Sequence, residues 1–355
     1  MTKYAIITTT INVPHNLEAY VKDTVDQGLR NDVFFVVAGD RKTPMDAAAL
    51  CDSLAAVYNI QVDYLTPTFQ EITWPVYSKF LGWNTIQRRN IAMLYAYNQG
   101  ADVVVTIDDD NYLTAPNYLA QHGLLAESTI TETTSSSSGW YNICRRLQHT
   151  GEFYPRGYSI KERGTHPRIK SELLSQRAVV NAGLWIGDPD VDAVTRLAIN
   201  PKVENALTPP FTLAPETYAP FNSQNTAIHR DVLPAYCMVS GVGRYDDIIP
   251  SFFVKRIADH LGDAIRFGTP LVRQERNPHN LFKDLENEVI GMQLTDRLVD
   301  WLRTVELKGV TYGECIKEIT EAVRKRWIND GSLTLEQIGF MRGIVLSYEA
   351  WGETL

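Results

Sequence analysis

The first 110 residues alternate short β-branched runs with segments of helical spacing. The strand-like runs are 4–10, 32–40, 60–65 and 102–108, and the helical patterns between them are 16–29, 45–59 and 84–100. Strands and helices in this alternating order are typical of a parallel sheet with crossover helices. Because the runs are apolar on both faces, we expect helices on both sides of the sheet. The pattern therefore predicts an α/β, Rossmann-type fold with a mostly parallel sheet and flanking helices.

The remainder of the chain is less regular until its last 70 residues. A Ser/Thr-rich stretch at 128–139 predicts a surface loop or flap, and strand-like pieces follow at 140–144 and 178–186. From 286 onward, three amphipathic patterns predict helices. We therefore expect a larger domain of residues 1–285, with a C-terminal helical region of residues 286–355 packed on it.

Charge and cysteine usage narrow the classes of function. The net charge of −8 argues against a nucleic-acid partner. The chain has no apolar run long enough for a membrane-spanning helix, and its start lacks a signal-peptide pattern. Its four cysteines are widely spaced and form no Cys-x-x-Cys pair, which predicts reduced thiols and no zinc site. We expect a cytoplasmic protein.

Three consecutive aspartates, Asp108, Asp109 and Asp110, follow the apolar run at 102–108. Ligands of open α/β sheets bind at the carboxyl ends of the strands. Adjacent carboxylates repel one another, and a hard divalent cation such as Mn²⁺ or Mg²⁺ relieves that repulsion. Asp108 and Asp110 share one side of an extended segment, so both can face one ion while Asp109 faces a ribose hydroxyl or a basic residue. The alternative is a solvated acidic turn.

Other polar residues fall at the same predicted edge of the sheet. Asp40 ends the second strand and Asn12 follows the first. Arg88 and Arg89 are candidates for contacts with phosphates or a base. Because adjacent helical residues diverge by about 100°, only one of these two arginines can point inward. The alternative is a solvated, charged start of a helix.

Four residues farther along the chain are further candidates. Arg156 lies in a loop rich in proline and glycine, which suits recognition of an anionic group. Asp246 and Asp247 precede a helical pattern and are candidates for a general base or a charge stabiliser. His279 is a candidate third metal ligand. The alternatives are a plain surface loop, acids favoured by a helix dipole, and an incidental histidine.

These motifs together resemble the reversibly glycosylated polypeptides, the family that includes the plant UDP-arabinopyranose mutases. The similar segments are TIDDD (106–110), RGYSIKERG (156–164), GLWIGDPDVDAVTRL (183–197), GRYDDI (243–248) and EAWGE (349–353). The resemblance implies a GT-A-like nucleotide-sugar-binding domain, with Mn²⁺ or Mg²⁺ on Asp108 and Asp110 bridging a diphosphate.

The same resemblance implies two sets of binding residues. It places the nucleoside at Thr8, Thr9, Thr10, Asn12 and Asp40, with Arg88 or Arg89. It places the sugar at Arg156, Trp185, Asn225, Asp246 and Asp247.

The arginine that becomes glycosylated in the mutases lies seven residues before the position of Arg156. That position is His149 here, with Arg145 and Arg146 nearby. Three hypotheses stay open on the sequence. The first is a glycosyltransferase that moves a sugar from a nucleotide diphosphate to a separate, possibly small-molecule acceptor. The second is a pyranose–furanose mutase or self-glycosylating protein, and the third is a non-catalytic partner subunit, because members of the family associate with one another.

Overall fold

The computed structural model describes residues 2–149, 151–207, 209–277 and 279–355. Within these residues the strands are β1 (Tyr4–Thr10), β2 (Val33–Gly39), β3 (Val62–Leu65), β4 (Val103–Ile107), β5 (Asn111–Leu113), β6 (Ser128–Ser136), β7 (Leu147–His149), β8 (Ile169–Gly187), β9 (Val203–Ala206), β10 (Phe211–Leu213), β11 (Asn225–His229) and β12 (Ala264–Gln274).

The α-helices of the same residues are α1 (Leu17–Asp26), α2 (Met45–Tyr58), α3 (Pro67–Thr73), α4 (Pro75–Leu81), α5 (Arg89–Asn98), α6 (Tyr118–Gln121), α7 (Ala193–Ala198), α8 (Ile248–Leu261), α9 (Leu281–Leu302), α10 (Tyr312–Trp327) and α11 (Leu335–Gly352). Short 3₁₀ turns are Ile86–Arg88, Ile143–Arg146, Arg230–Ala235 and Gly243–Tyr245.

One large sheet organises the molecule, in the order β3-β2-β1-β4-β11-β8-β6-β10-β12-β5. The first four of these strands are parallel, with Tyr4 of β1 opposite Val33 on one side and Val103 on the other. The strands β1, β2 and β4 are buried almost throughout, as strands covered by helices on both faces must be. The predicted α/β class is confirmed. The parallel order ends at β4, because β11 joins it antiparallel and the rest of the sheet is mixed.

The Ser/Thr-rich stretch at 128–139 is mainly strand rather than loop, so that prediction is wrong. Its residues 128–136 form β6, which pairs antiparallel with the first nine residues of β8. Threonine suits a pleated, half-buried surface, and pairing supplies the stabilisation that the composition does not reveal.

Helix termini explain most of the other differences from expectation. The helices α3 and α4 were not predicted, although Thr66 caps the first and each begins with proline at its first turn. The pattern at 84–100 becomes a helix only at Arg89, because Asn84 has a φ of 59° and lies outside it.

The C-terminal helices pack on the sheet domain through buried side chains. Trp351 of α11 is fully buried and its indole N–H donates to Leu233 O at 2.9 Å, while Tyr348 donates to Ala235 O at 3.1 Å. Thr311 and Thr334 begin α10 and α11 with capping boxes. The predicted boundary at 286 falls inside α9, which begins at Leu281. No helix of the described residues is both long and apolar enough to cross a bilayer.

Candidate active site

A cleft of about 690 Å³ opens at the carboxyl ends of the parallel strands. Its walls come from Thr9 of β1, the aspartates after β4, the segment before and at the start of α5, the loop before β11, the segment before α8, and the end of β12 with the residues that follow. The site therefore lies where an open α/β sheet binds its ligands.

The three aspartates after β4 face three different partners. Asp108 forms an ion pair with Arg89, whose side chain is 2% exposed. Asp109 turns toward β1, as the alternation of side chains predicts, and accepts hydrogen bonds from Thr10 Oγ1 and Asn12 Nδ2. Asp110 has a buried Oδ1 with no hydrogen-bond partner among the described residues.

The surroundings of Asp110 fit a hard divalent cation. Burial, with Asp108 and Asp109 adding repulsion, raises the pKa of Asp110 to about 7. Gln274, in the strand that pairs with the segment after Asp110, also leaves a buried oxygen unpartnered. Oxygen atoms without donors are the ligands that Mg²⁺ and Mn²⁺ prefer. Among the described residues, however, no three acidic, histidine or cysteine side chains form a preassembled metal cluster.

His279 lines the cleft, but the structure pairs it with another carboxylate. Its Nδ1 lies 3.1 Å from Asp284 Oδ2. The predicted set of Asp108, Asp110 and His279 is therefore not gathered around one point, and the role of His279 as a ligand stays a prediction.

The two adjacent arginines diverge, as helical geometry requires. Arg89 points into the cleft wall and donates to Ser223 O at 3.0 Å as well as to Asp108. Arg88 instead donates to Ser78 Oγ at 2.7 Å and Ser78 O at 2.9 Å, and its guanidinium stacks 3.4 Å from the centre of the Trp83 ring. Arg88 therefore ties α4 to the segment before α5 and does not line the cleft, so of the two arginines only Arg89 reaches it, and the contact of Arg88 with the nucleotide stays a prediction.

Asn225 and Trp185, both predicted to contact the sugar, do not line the cleft. Asn225 is fully buried, with its amide donating to Pro270 O at 2.9 Å and accepting from Tyr118 at 2.8 Å. Trp185 lines a small cavity behind the cleft, next to Arg156. Both residues lie within paired strands, where side-chain direction follows the pleat and not the nearest ligand edge.

The strand-end residues support the cleft more than they line it. Thr9 lines it, while Thr8 and Thr10 are buried beside it. The carboxylate of Asp40 accepts hydrogen bonds from the backbone N–H groups of Asn84 at 2.8 Å and Thr85 at 3.1 Å. Asp40 thus holds the segment that forms one rim of the cleft.

A buried ion-pair network forms the wall that faces the aspartate triplet. Arg156 forms a two-pronged pair with Asp190, at 3.0 Å and 2.9 Å, and reaches Asp247 at 3.2 Å. Asp247 also accepts from the backbone N–H and Oγ of Ser223, at 3.0 Å and 3.1 Å. Burial raises the pKa of Asp190, but Arg156 and Asn222 outweigh it and bring the pKa down to about 2.

Asp246, beside the ion-pair network, is a carboxyl with a raised pKa. It is buried, and its Oδ2 accepts from Gln87 Nε2 at 3.0 Å. Burial, and then the charge of Asp247 beside it, raise the pKa of Asp246 to about 7. Such a carboxyl is suited to exchanging protons near neutral pH.

Among the described residues that line the cleft, sequence reasoning missed three charged ones, namely Asp190, Arg244 and Arg276. Asp190 and Arg244 stand in segments that carried the family resemblance, beside residues that were singled out. No spacing rule indicates which aspartate of GDPDVD reaches Arg156. The pairing is visible only in the structure, where Asp190 and Asp247 both contact Arg156.

Comparison with known proteins gives the family. The model of the family "Reversibly glycosylated polypeptide" matches residues 101–349, which is most of the chain. The protein therefore belongs to the reversibly glycosylated polypeptides, as the sequence resemblance predicts.

Curated relatives carry a more specific name. UDP-arabinopyranose mutase 1 of Arabidopsis thaliana is 29% identical over 241 residues, covering 63% of this chain and 62% of that protein. A probable UDP-arabinopyranose mutase 1 of Solanum tuberosum is 28% identical over 268 residues, covering 70% and 67%. The chain thus matches less than two thirds of the length of the first of these relatives.

Among solved structures, glucosyl-3-phosphoglycerate synthase from Mycobacterium tuberculosis, in complex with Mn²⁺ and UDP-glucose, is similar to this chain at a TM-score of 0.41. The two are 13% identical, and the match covers 83% of this chain and 78% of the other.

Proposed function

We propose that the protein is a metal-dependent glycosyltransferase that uses a nucleotide-diphosphate sugar, with UDP as the nucleotide, and transfers the sugar to a separate acceptor. One observation carries the proposal. The aspartates at 108–110 and the aspartates at 246–247 face a single cleft at the carboxyl edge of the sheet. The first group suits a cation and a diphosphate, and the second suits the reacting sugar.

The donor side of the cleft is the wall at β4. Asp108 and Asp110 would hold Mn²⁺ or Mg²⁺, which would supply positive charge against the diphosphate that departs. Burial raises the pKa of Asp108, and the ion pair with Arg89 opposes that rise and orients the carboxylate. Thr9 and the rim segment held by Asp40 would position the nucleoside.

The reacting side is the wall at the start of α8. Asp246 would accept the proton of the acceptor hydroxyl, because its pKa near 7 lets it bind and release a proton at neutral pH. Asp247, held by Arg156 and Ser223, would present a fixed negative charge to the sugar carbon as its bond to the diphosphate weakens.

The residues near position 149 favour a separate acceptor over self-glycosylation. His149 packs against the Phe153 ring, with 4.4 Å between ring centres. Arg145 pairs with Glu152 and Arg146 pairs with Glu132. None of these three basic residues is among the described residues that line the cleft.

The second candidate function is a pyranose–furanose mutase, which the names of the curated relatives favour. The two functions differ in their need for an acceptor. A mutase interconverts UDP-arabinopyranose and UDP-arabinofuranose with no acceptor present, whereas a transferase releases UDP in an amount that follows the acceptor.

The test is a pair of assays on purified protein. It is incubated with UDP-sugars and Mn²⁺, with and without candidate acceptors, and UDP release and sugar ring form are followed by chromatography. We expect acceptor-dependent UDP release that Asp110→Asn abolishes together with metal-dependent UDP binding. Asp52→Asn, at an exposed position of α2, is the matched control and should behave like the wild type.

Three results would count against the proposal. Interconversion of the two arabinose forms without acceptor would support the mutase. Metal-dependent UDP binding that survives Asp110→Asn would move the cation elsewhere. Failure to bind UDP under any condition would favour a non-catalytic subunit.

A further inference from the structure

Four arginines line the cleft, and they differ in how far they are already engaged. The side chains of Arg89 and Arg156 are 2% and 8% exposed and are held by carboxylates on the cleft floor. Those of Arg244 and Arg276 are 24% and 12% exposed. Arg244 and Arg276 are therefore the more exposed pair of the four.

Arg244 and Arg276 flank one carboxylate, Asp284 of α9. Arg276 Nη2 lies 3.0 Å from Asp284 Oδ2, and Arg244 Nη1 lies 3.6 Å from Asp284 Oδ1. Arg244 also donates from Nε to Glu288 at 2.8 Å. The two guanidinium groups thus contact the two oxygens of the same carboxylate, that of Asp284 at the start of α9.

The two arginines of this corner keep unused hydrogen-bond donors. A guanidinium has five N–H donors, and these contacts engage only a minority of the ten. Arg276 Nε is buried without a hydrogen-bond partner among the described residues.

We propose that Arg244 and Arg276 form a binding site for an anionic group, phosphate or carboxylate, of the acceptor. Guanidinium groups bind both kinds of anion through paired hydrogen bonds. This inference rests on the proposed function, which assigns the donor diphosphate to the cation at Asp108 and Asp110.

The position of Arg244 places this anion site next to the reacting wall. Arg244 precedes Asp246 by two residues, and its backbone oxygen accepts a hydrogen bond from Arg156. An acceptor held by its anionic end at Arg244 and Arg276 would bring a neighbouring hydroxyl toward the carboxyl of Asp246. The substrate class is thus a hydroxyl compound that carries a phosphate or carboxylate, and a neutral sugar would lack the anchor.

The probe is inorganic phosphate, titrated calorimetrically into the protein saturated with UDP and Mg²⁺. We expect phosphate to bind beside UDP. We expect Arg276→Gln and Arg244→Gln each to weaken phosphate binding about tenfold or more, because each removes charge-assisted hydrogen bonds to the anion. UDP binding should be unchanged in both variants.

Two control variants and a folding measurement show whether a loss of phosphate binding comes from misfolding. Arg297→Gln removes an arginine of α9 that pairs with Asp330 far from the cleft lining, and it should leave phosphate binding intact. Arg276→Lys keeps the charge but loses the planar fork, so its phosphate affinity should fall between those of the wild type and Arg276→Gln. Thermal melting of each variant shows whether it is folded.

The outcomes separate this inference from the proposed function. Phosphate that competes with UDP would place the diphosphate at these arginines and overturn the inference. Equal phosphate affinity in wild type and both glutamine variants, or no phosphate binding by a protein that binds UDP, would also overturn it. A protein that fails to bind UDP contradicts the proposed function, and phosphate titrated into the free protein still tests the two arginines.

Discussion

Two aspartates of the site have different pKa values because the groups that surround them differ. Asp190 and Asp246 are both buried, yet the pKa of Asp190 is lowered to about 2 and that of Asp246 is raised to about 7. Burial acts in the same direction on both. Asp190 has a two-pronged contact with Arg156, whereas Asp246 has the neutral amide of Gln87 and the like charge of Asp247. Asp190 is therefore ionised at neutral pH, whereas Asp246 exchanges its proton near neutral pH.

The raised pKa of Asp246 predicts a specific dependence of stability on pH. The folded protein keeps a proton on Asp246 between about pH 4 and pH 7, where the unfolded chain has lost it. Stability from this group is therefore lost as the pH rises through that window, by at most about 1.4 kcal/mol per pH unit. Asp246→Asn should remove the share of the decline that Asp246 contributes and leave the share of Asp110, whose pKa is also raised to about 7, and urea denaturation at several pH values from 4 to 8 measures the difference.

The comparison for this measurement is the exposed Asp52→Asn variant. Its free energy of unfolding should follow that of the wild type at every pH. Parallel curves for the wild type and Asp246→Asn would show that Asp246 is ionised in the folded protein across this range.

At the scale of elements, the segment 153–164 is shaped by its contact with the start of α8. Gly157 has a φ of 87°, and a Cβ at this position would overlap Cγ2 of Ile248. Gly164, near the other end of the segment, has a similar φ of 71° but open space around it. The first glycine lets the backbone next to Arg156 lie directly on α8, and the second serves only the turn.

This difference predicts unequal effects of alanine at the two glycines. Gly164→Ala should destabilise the protein by about 1 kcal/mol, the cost of a left-handed backbone conformation. Gly157→Ala should cost about 1–3 kcal/mol more, because an overpacked contact is added. Chemical denaturation of both variants measures the difference, and equal losses would show that Ile248 moves aside freely.

At the scale of the whole molecule, one hydrophobic core extends from β1 to α11. It includes Ala5 and Ile7 of the first strand and Trp351 of the last helix. The division into a domain of residues 1–285 and a helical region of 286–355 stays a proposal. In the structure the helical region contributes Trp351 to the core, and its Asn287 of α9 lines the cleft.

The buried indole of Trp351 predicts that the last helix stabilises the whole fold. Trp351→Ala should lower the free energy of unfolding by about 3–5 kcal/mol, the usual cost of removing a large buried aromatic side chain. Leu346→Ala, on the same helix but 46% exposed, should change it by about 0.5 kcal/mol or less. Circular dichroism and tryptophan fluorescence should report one transition, and two separate transitions would mean that the helical region unfolds alone.

The sequence by itself determined the parallel part of the fold and the location of its ligand edge. Buried β-branched runs and helical spacing are local properties, so β1, β2, β4, α1 and α2 could be predicted within a few residues. The aspartate triplet follows directly from a strand end, and its place in the cleft needed no tertiary information. The motifs that resemble the family contain Arg156, Asp246 and Asp247, which made these residues candidates for the site.

Only the tertiary structure decided which polar residues face the cleft. Arg88 and Asn225 are next in sequence to Arg89 and Gln224, which line the cleft, yet their own hydrogen bonds lie within the protein. The pairing of Arg156 with Asp190, and of Arg244 and Arg276 with Asp284, joins segments far apart in sequence. Side-chain direction and the partner of a charge depend on long-range packing, which no local pattern of residues encodes.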